Sequence, residues 1–342
     1  MIQNDPLVSI SIVNYNGKKF LNDLFVSLKC QAFTDFEVIF VDNNSTDESV
    51  EFLEKYYSDF VKIIRNSENY GFAKANNIGI KASSGKYVVL LNNDTKVDPN
   101  WLKGLVEAAE NDESVGMCAS KILFMHNLRL IDSTGLSIYP DGTSRQRGWS
   151  EEDRGQFDDK RDVLLPSGCA ALYRREMLNQ IGLFDERFFA YCEDTDLGLR
   201  ARLANWQCVF VPQAIVYHLY SGYWGEFPLK KIFLIERNRI LIVFKLFPLW
   251  LIFESYYYYL LRCLYHVYGI ITHKGIANDY LKDISVWSLI LIVFKAHVEA
   301  VSIIPGLLIE RVKTNSNLIQ KEKLSFILRK YAISAKEIAL KG

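Results

Sequence analysis

The sequence predicts an α/β fold in which a doubly wound sheet is flanked by helices and followed by a helical appendage. Three observations carry this. Residues 7–90 alternate short β-branched runs with segments of helical apolar spacing. The 342-residue length exceeds what one compact core needs. From about residue 226 the composition turns strongly apolar, aromatic and basic.

Taken in order, LVSISIVNY (7–15), FEVIFVDN (36–43), VKIIRN (61–66) and KYVVLLNND (86–94) suit buried parallel strands. Between them, residues 17–32, 45–59 and 69–84 place apolar side chains at helical spacing. A helix over about 99–111, strands near 115–124 and 163–173, helices at 175–181 and 193–204 and a strand at 206–212 complete the first part. A polar stretch of roughly forty residues separates the strands at 115–124 and 163–173, long enough to be a functional loop. The domains are therefore expected at 1–225 and 226–342.

Formal charge is zero, but the halves differ: residues 1–225 carry 23 Lys/Arg against 31 Asp/Glu, and residues 226–342 carry 17 against 9. In the second half, residues 240–272 and 285–312 are apolar and aromatic yet interrupted by Lys245, Glu254, Arg262, Lys295 and Glu299. No charge-free run there approaches the ~18 residues of a spanning helix, so helices lying in a membrane interface are expected, against the alternative of a soluble subdomain. The six scattered cysteines form no C-x-x-C pair, and the first residues do not read as a secretory signal, so a cytoplasmic location is expected. There is no G-x-G-x-x-G after the first strand, no G-x-x-x-x-G-K-[ST], no G-x-S-x-G and no H-E-x-x-H. Carboxylates, amides and a histidine remain to carry chemistry.

In a doubly wound sheet, ligands sit beyond the carboxyl ends of the strands. Asn14-Tyr15-Asn16 and Asp42-Asn43-Asn44 end the first two strands. Asp42 can accept the imide N–H of a pyrimidine while Tyr15 packs on its ring; alternatively Asp42 and Ser45 cap the next helix. Asn92-Asn93-Asp94 ends the fourth strand, where a carboxylate can hold a divalent cation bridging a diphosphate or can simply shape a turn. The segment FDERFFAYCEDTDLGLRARLANW (184–206) carries Asp185, Glu193, Asp194 and Asp196. Its acidic residues either complement a helix dipole or supply a general base at Asp194.

Seven blocks, VSISIVNYNG, VIFVDNNSTDES, NYGFAKANNIGI, YVVLLNNDTKVDPNWL, SGCAALYRRE, IGLFDERFFAYCEDTDLGLRARLANW and VYHLYSG, occur in the order seen in inverting family 2 glycosyltransferases, and the set resembles bacterial rhamnosyltransferase-type members. The resemblance covers about residues 7–245 and implies a GT-A fold, a Rossmann-like nucleotide-binding mixed sheet flanked by helices. It implies that Asn14, Tyr15 and Asp42 hold the base, with Asn69, Gly71, Asn76 and Asn77 below it, and Asn92 and Asn93 beside the ribose. Asp94 and His218 become ligands of Mg2+ or Mn2+, although Asn92 stands where the family's D-x-D signature has its first carboxylate. Without the family, His218 reads rather as a satisfied core residue. Ser167, Gly168 and Glu193 would line the sugar and acceptor site, and Asp194 takes the position of the catalytic base.

The expected activity is transfer of one sugar from dTDP-rhamnose or a UDP-sugar to a saccharide, lipid-linked acceptor. The Q-x-x-R-W motif of processive synthases is missing. A catalytically silent sugar-nucleotide scaffold is the alternative that Asn92 keeps open. The expected location is the inner face of the cell membrane, peripherally bound; a homo-oligomer is compatible, and no nucleic-acid partner is expected.

Overall fold

The computed structural model describes residues 5–220, 228–313 and 321–341. The chain divides into two compact units, residues 1–136 with 146–222, and residues 137–145 with 223–342. The expected boundary at 225/226 and the last two residues of the VYHLYSG block lie outside the described residues.

The first unit opens with β1 (Val8–Asn14), α1 (Lys18–Lys29), β2 (Phe36–Asp42), α2 (Ser49–Tyr57), β3 (Lys62–Arg65), α3 (Gly71–Lys81) and β4 (Tyr87–Leu91). It continues through β5 (Thr95–Val97), α4 (Trp101–Glu110), β6 (Val115–Phe124) and β7 (Asn127–Ser133). A small hairpin of β8 (Leu136–Ile138) and β9 (Ser144–Gln146) follows, its residues 137–145 counting with the second unit. Then come β10 (Ala170–Arg174), α5 (Arg175–Ile181), α6 (Glu193–Leu203) and β11 (Gln207–His218).

Nine strands form one mixed sheet in the order β3-β2-β1-β4-β10-β6-β11-β5, with β7 added on β6. β1 to β4 run parallel, and β6 is parallel to β11. β10 is antiparallel to both β4 and β6. Its start therefore lies at the edge where its neighbours end, and Ala170 pairs with Leu91. This reversal brings Ser167 and Gly168 to the same rim as the tips of β1, β2 and β4.

Both sheet faces are covered. α1, α2 and α4 pack Phe25, Leu53 and Trp101 onto one face; α3, α5 and α6 pack Ile80, Met177 and Leu197 onto the other. Burial on both sides explains why the run YVVLL reads as continuously apolar: every residue of β4 is 2% exposed or less.

Several boundaries differ from expectation for local reasons. α2 begins at Ser49 rather than 45, because Asp42 and Ser45 close a turn of their own. The expected strand at 163–173 is β-paired as a strand only from Ala170; Pro166 and Gly168 interrupt it, while residues 163–165 stay buried and Leu165 makes an isolated bridge to Leu136. β11 does not stop at Pro212 but continues to His218, absorbing the proline in a register shift between Val211 and Ile215. The polar stretch expected as a loop holds β7, β8 and β9, strands too short or too polar for periodicity to reveal.

The second unit contains α7 (Pro228–Leu246), α8 (Leu249–Ile271), α9 (Gly275–Tyr280), α10 (Val286–Lys313), α11 (Lys321–Lys330) and α12 (Ala335–Leu340). α10 packs on α7, and α12 on α8. Its interior is charged. Arg262 on α8 donates from Nε to Asp141 Oδ2 at 2.7 Å and lies 2.8 Å from Glu236 Oε1. Arg239 donates to Glu236, and Arg237 to Glu299 at 2.6 Å. Burial pushes the Glu236 carboxyl up, but Arg262 and Arg239 outweigh it and leave it at about 2.

The outer surface is apolar instead: Leu249, Phe253 and Ile271 on α8 and Trp287 on α10 are each more than 70% exposed. Residues 286–311 of α10 contain an 18-residue stretch with a mean hydropathy of 1.8 and are long and apolar enough to cross a membrane, by length and composition. Lys295 and Glu299 interrupt this segment, as the sequence reading expected, and it passes by length and composition with them included. Two of the five counted interruptions, Arg262 and Glu299, are paired inside the unit.

Candidate active site

The rim where β1, β2, β4 and β11 end and β10 begins carries a connected set of polar side chains. Asn14 is its knot. Its Nδ2 donates to Asp42 Oδ1 at 3.1 Å and to Ser45 Oγ at 3.0 Å, and its Oδ1 accepts from Asn93 Nδ2 at 2.7 Å. This joins the tips of β1, β2 and β4 across the point where the strand order reverses, the usual place for a ligand crevice in such sheets. Gly17 belongs to the knot, because a Cβ there would meet Asn93 Nδ2 at 2.1 Å and Asn14 Oδ1 at 2.5 Å. Asp42 is 3% exposed and also accepts from the Ser45 backbone and hydroxyl. It fastens the turn 42–45 and does not cap α2, whose first flanking residue is Glu48. Tyr15 is half-buried beside it.

The amides after β3 hold the floor. Asn69 accepts from Gly71 N–H, and Asn43 donates to the Gly71 carbonyl. Asn76 donates to the Phe72 carbonyl, while Asn77 grips the Phe184 backbone through both its donor and acceptor. Gly71 has φ +77°, and a Cβ there would lie 2.6 Å from the Phe189 carbonyl oxygen. That carbonyl accepts from Phe72 and Ala73 N–H at the start of α3. The glycine thus lets the 189–192 loop dock on a helix N-terminus.

In that loop Phe189, Tyr191 and Cys192 all have φ between +60° and +69°. Such backbone costs about 1–3 kcal/mol per residue and persists where the surroundings enforce it, often at functional sites. It delivers Glu193 and Asp194 to the first turn of α6. Asp194 Oδ2 accepts from Gly168 N–H at 3.1 Å, and Oδ1 from Thr195 N–H at 2.7 Å. Burial raises the Asp194 carboxyl, and these bonds pull it only partway back. Glu193 is raised further by burial and by the Asp194 charge, and its Oε2 has no hydrogen-bond partner among the described residues. Asp196 turns to Arg200, which braces the 181–183 carbonyls, so the acidic first turn divides between a site and a scaffold.

Asp94 and His218 also converge. His218 pairs with Thr95 across β5 and β11, and Leu219 N–H donates to the Asp94 carbonyl at 3.0 Å. His218 Nε2 then lies 3.3 Å from Asp94 Oδ1. Neighbouring ligands of an octahedral ion at about 2.1 Å stand roughly 3 Å apart, so this carboxylate–imidazole pair fits a small divalent cation. No third His, Cys, Asp or Glu completes a cluster among the described residues, which leaves the other positions to phosphate oxygens and water. Burial works against a charged His218 ring, and Cys169, Asp132 and Asp94 outweigh it, holding the ring well above the usual imidazole range.

Asn92 N–H donates to the Cys169 carbonyl, tying the Asp94 turn to the Ser167-Gly168 segment. Sequence reasoning brought most of these residues to one rim but missed Asn43, Phe189, Cys169 and Asp132. Asn43 stood in a quoted tripeptide; Asp132 sat in the polar stretch, where D-S-T-G reads as a turn.

Comparison with known proteins bears on the family and the fold. An O-antigen biosynthesis protein of Myxococcus xanthus is 30% identical over 225 residues, 64% of this chain, although the match spans only 18% of that protein's length. An N-acetylglucosaminyl-diphospho-decaprenol L-rhamnosyltransferase of Mycobacterium tuberculosis is 27% identical over 242 residues, 62% of this chain and 76% of the relative. The crystal structure of GalNAc-T7 with UDP, GalNAc and Mn2+ superposes with a TM-score of 0.57 at 19% identity, covering 72% of this chain and 48% of that one, and shows the GT-A fold. The glycosyl transferase family 2 model matches residues 9–182, more than half of the chain, and the chain belongs to that family.

Proposed function

We propose that the chain is a non-processive inverting glycosyltransferase. It moves one sugar from a nucleoside-diphosphate sugar, dTDP-rhamnose or a UDP-sugar, onto a saccharide of a lipid-linked acceptor during surface-polysaccharide synthesis. The observation that carries this reading is the continuous rim from Asp42 through Asn14 and Asn93 to the Asp94–His218 pair and on, through Cys169 and Gly168, to Asp194. It supports a base-recognition end at Asp42, a diphosphate end at Asp94 and a proton acceptor at Asp194 along one rim. The decaprenol-linked rhamnosyltransferase relative supports the donor and acceptor classes.

Asp42 and Tyr15 grip the base, with Asn14 and Asn69 acting through the turns they hold. Asn76 and Asn77 spend their amides on backbone, so they shape the floor indirectly. Asp94 and His218 would hold Mg2+ or Mn2+, which supplies Lewis-acid stabilisation to the leaving diphosphate. Asp194, steadied by Gly168 and Thr195 and raised by burial, takes the proton of the attacking hydroxyl. Ser167 and Glu193 flank it on the sugar and acceptor side.

The second unit is assigned to the cytoplasmic face of the membrane, its apolar α8 and α10 surface lying in the lipid, with Arg262 and Glu236 turned inward and the exposed Glu254 and Lys295 reaching toward the headgroups. Asp194→Asn tests the catalytic reading: turnover falls by about 10²-fold or more, while donor binding, read by thermal stabilisation, is retained. Near-normal turnover would remove Asp194 from the role, and absence of turnover in the wild type across a sugar-nucleotide panel would leave the silent scaffold.

A further inference from the structure

We infer that Asp132 is a positioning residue that sets the His218 ring for a divalent cation; the inference rests on reading Asp94 and His218 as the cation's ligands. Asp132 is 3% exposed, near the end of β7. The pairing of β7 with β6 is irregular there: Ile122 pairs with Ser133 and Leu123 with Ile131, leaving Asp132 as the extra residue of a bulge. Ile131, Asp132 and Ser133 are all buried there. Bulges re-aim side chains, often beside active sites.

The re-aimed carboxylate puts Oδ2 2.5 Å from His218 Nδ1, while Nε2 on the other side of the ring faces Asp94 Oδ1 at 3.3 Å. Engaging Nδ1 fixes the rotation of the ring and commits Nε2 as the atom that can ligate. A carboxylate on the far nitrogen also makes the ligating nitrogen more basic.

A purely architectural role accounts poorly for the residue. The backbone of the His218 strand end is already held by Met125 N–H on the His218 carbonyl and by Leu219 N–H on the Asp94 carbonyl. A buried carboxylate also costs stability that an apolar residue of similar size would not. What Asp132 adds is the orientation of His218 and the basicity of its ligating nitrogen.

The test titrates Mn2+ alone into the full chain, with free Mn2+ read by electron paramagnetic resonance. Asp132→Ala weakens Mn2+ binding by about 10–100-fold. Asp132→Asn keeps an acceptor for Nδ1–H but loses the charge, and falls between. His218→Ala weakens binding at least as much as Asp132→Ala, and the double variant Asp132→Ala/His218→Ala is no weaker than His218→Ala alone, since Asp132 acts only through the ring. Should Asp132→Ala not fold, Asp132→Asn carries the comparison. Unchanged affinity in the Asp132 variants alongside a weakened His218→Ala overturns this inference alone, as does additivity in the double variant. No Mn2+ binding by the wild type, or none lost in His218→Ala, overturns the cation reading and this inference with it.

Discussion

In the sheet unit the largest fully buried side chains are apolar, Trp101, Tyr87 and Phe25 among them, and the polar groups gather at strand tips. In the helical unit Arg262, Glu236 and Asp141 are buried, while Phe253 and Trp287 are 78% and 79% exposed. The same chemistry is thus laid out in opposite senses. A crevice in water needs polar groups at a rim supported by an oily core. A surface that meets lipid can present oily side chains outward, provided its charges find one another within. Counting charges along the sequence treats Arg262 as an interruption of an apolar run; the fold makes it an internal tie between Asp141 on the β8–β9 hairpin and Glu236 on α7.

The largest effect that sharpens this contrast comes from breaking the tie. Arg262→Ala takes the arginine from the buried Asp141 carboxylate and leaves Glu236 with Arg239 alone, and removing one partner from such a network costs about 3–5 kcal/mol. The helical unit should become sensitive to protease at a markedly lower temperature. A loss under about 1 kcal/mol would show the network to be solvated and the contrast between the units to be shallow.

A smaller effect tests the outward face. Burying a large apolar side chain contributes about 1.5–3 kcal/mol when complete, and an interfacial side chain gains part of that. Phe253→Asp and Trp287→Asp should each weaken binding to anionic vesicles by about tenfold or more in a flotation assay, with the thermal stability of the protein little changed. Equal binding by wild type and both variants would take the apolar face away from lipid. Resistance of wild-type binding to carbonate wash would favour a spanning α10 over an interfacial one.

The two units also differ in how far their sequence could be read. β4 announced itself, because a strand covered on both faces must be apolar throughout, and the tip residues Asn93 and Asp94 followed from it. Asp194 was legible only as one of two readings of an acidic helix start; what separated it from Asp196 was tertiary, the Gly168 N–H for one and Arg200 for the other. Asp132 was not legible at all, since a bulge leaves no periodic signal. In the helical unit the apolar composition was plain, but which charges face inward depends on partners as distant in sequence as Asp141 and Arg262.

The smallest effect concerns a place where the sheet unit, like the helical one, buries acidic side chains. Glu193 and Asp194 sit side by side, both raised by burial, and Glu193 keeps an oxygen without a partner among the described residues. The signs of the consequences are opposite. Raised carboxyls favour the protonated folded state, so their contribution to stability is fully present below the ordinary carboxylate range and is lost as pH climbs through the raised values. Catalysis needs Asp194 ionised, so kcat/KM rises over that same climb. Glu193→Gln removes one titrating acid while keeping its shape. It should raise the melting temperature above the transition by about 2–4 °C, close to 1 kcal/mol for a protein of this size, and leave it unchanged at acid pH. The acid limb of kcat/KM should remain, because it belongs to Asp194. If Glu193→Gln instead abolished that limb, Glu193 would be the group that accepts the proton, and the strained 189–192 loop would be aiming the first carboxylate of the pair rather than the second.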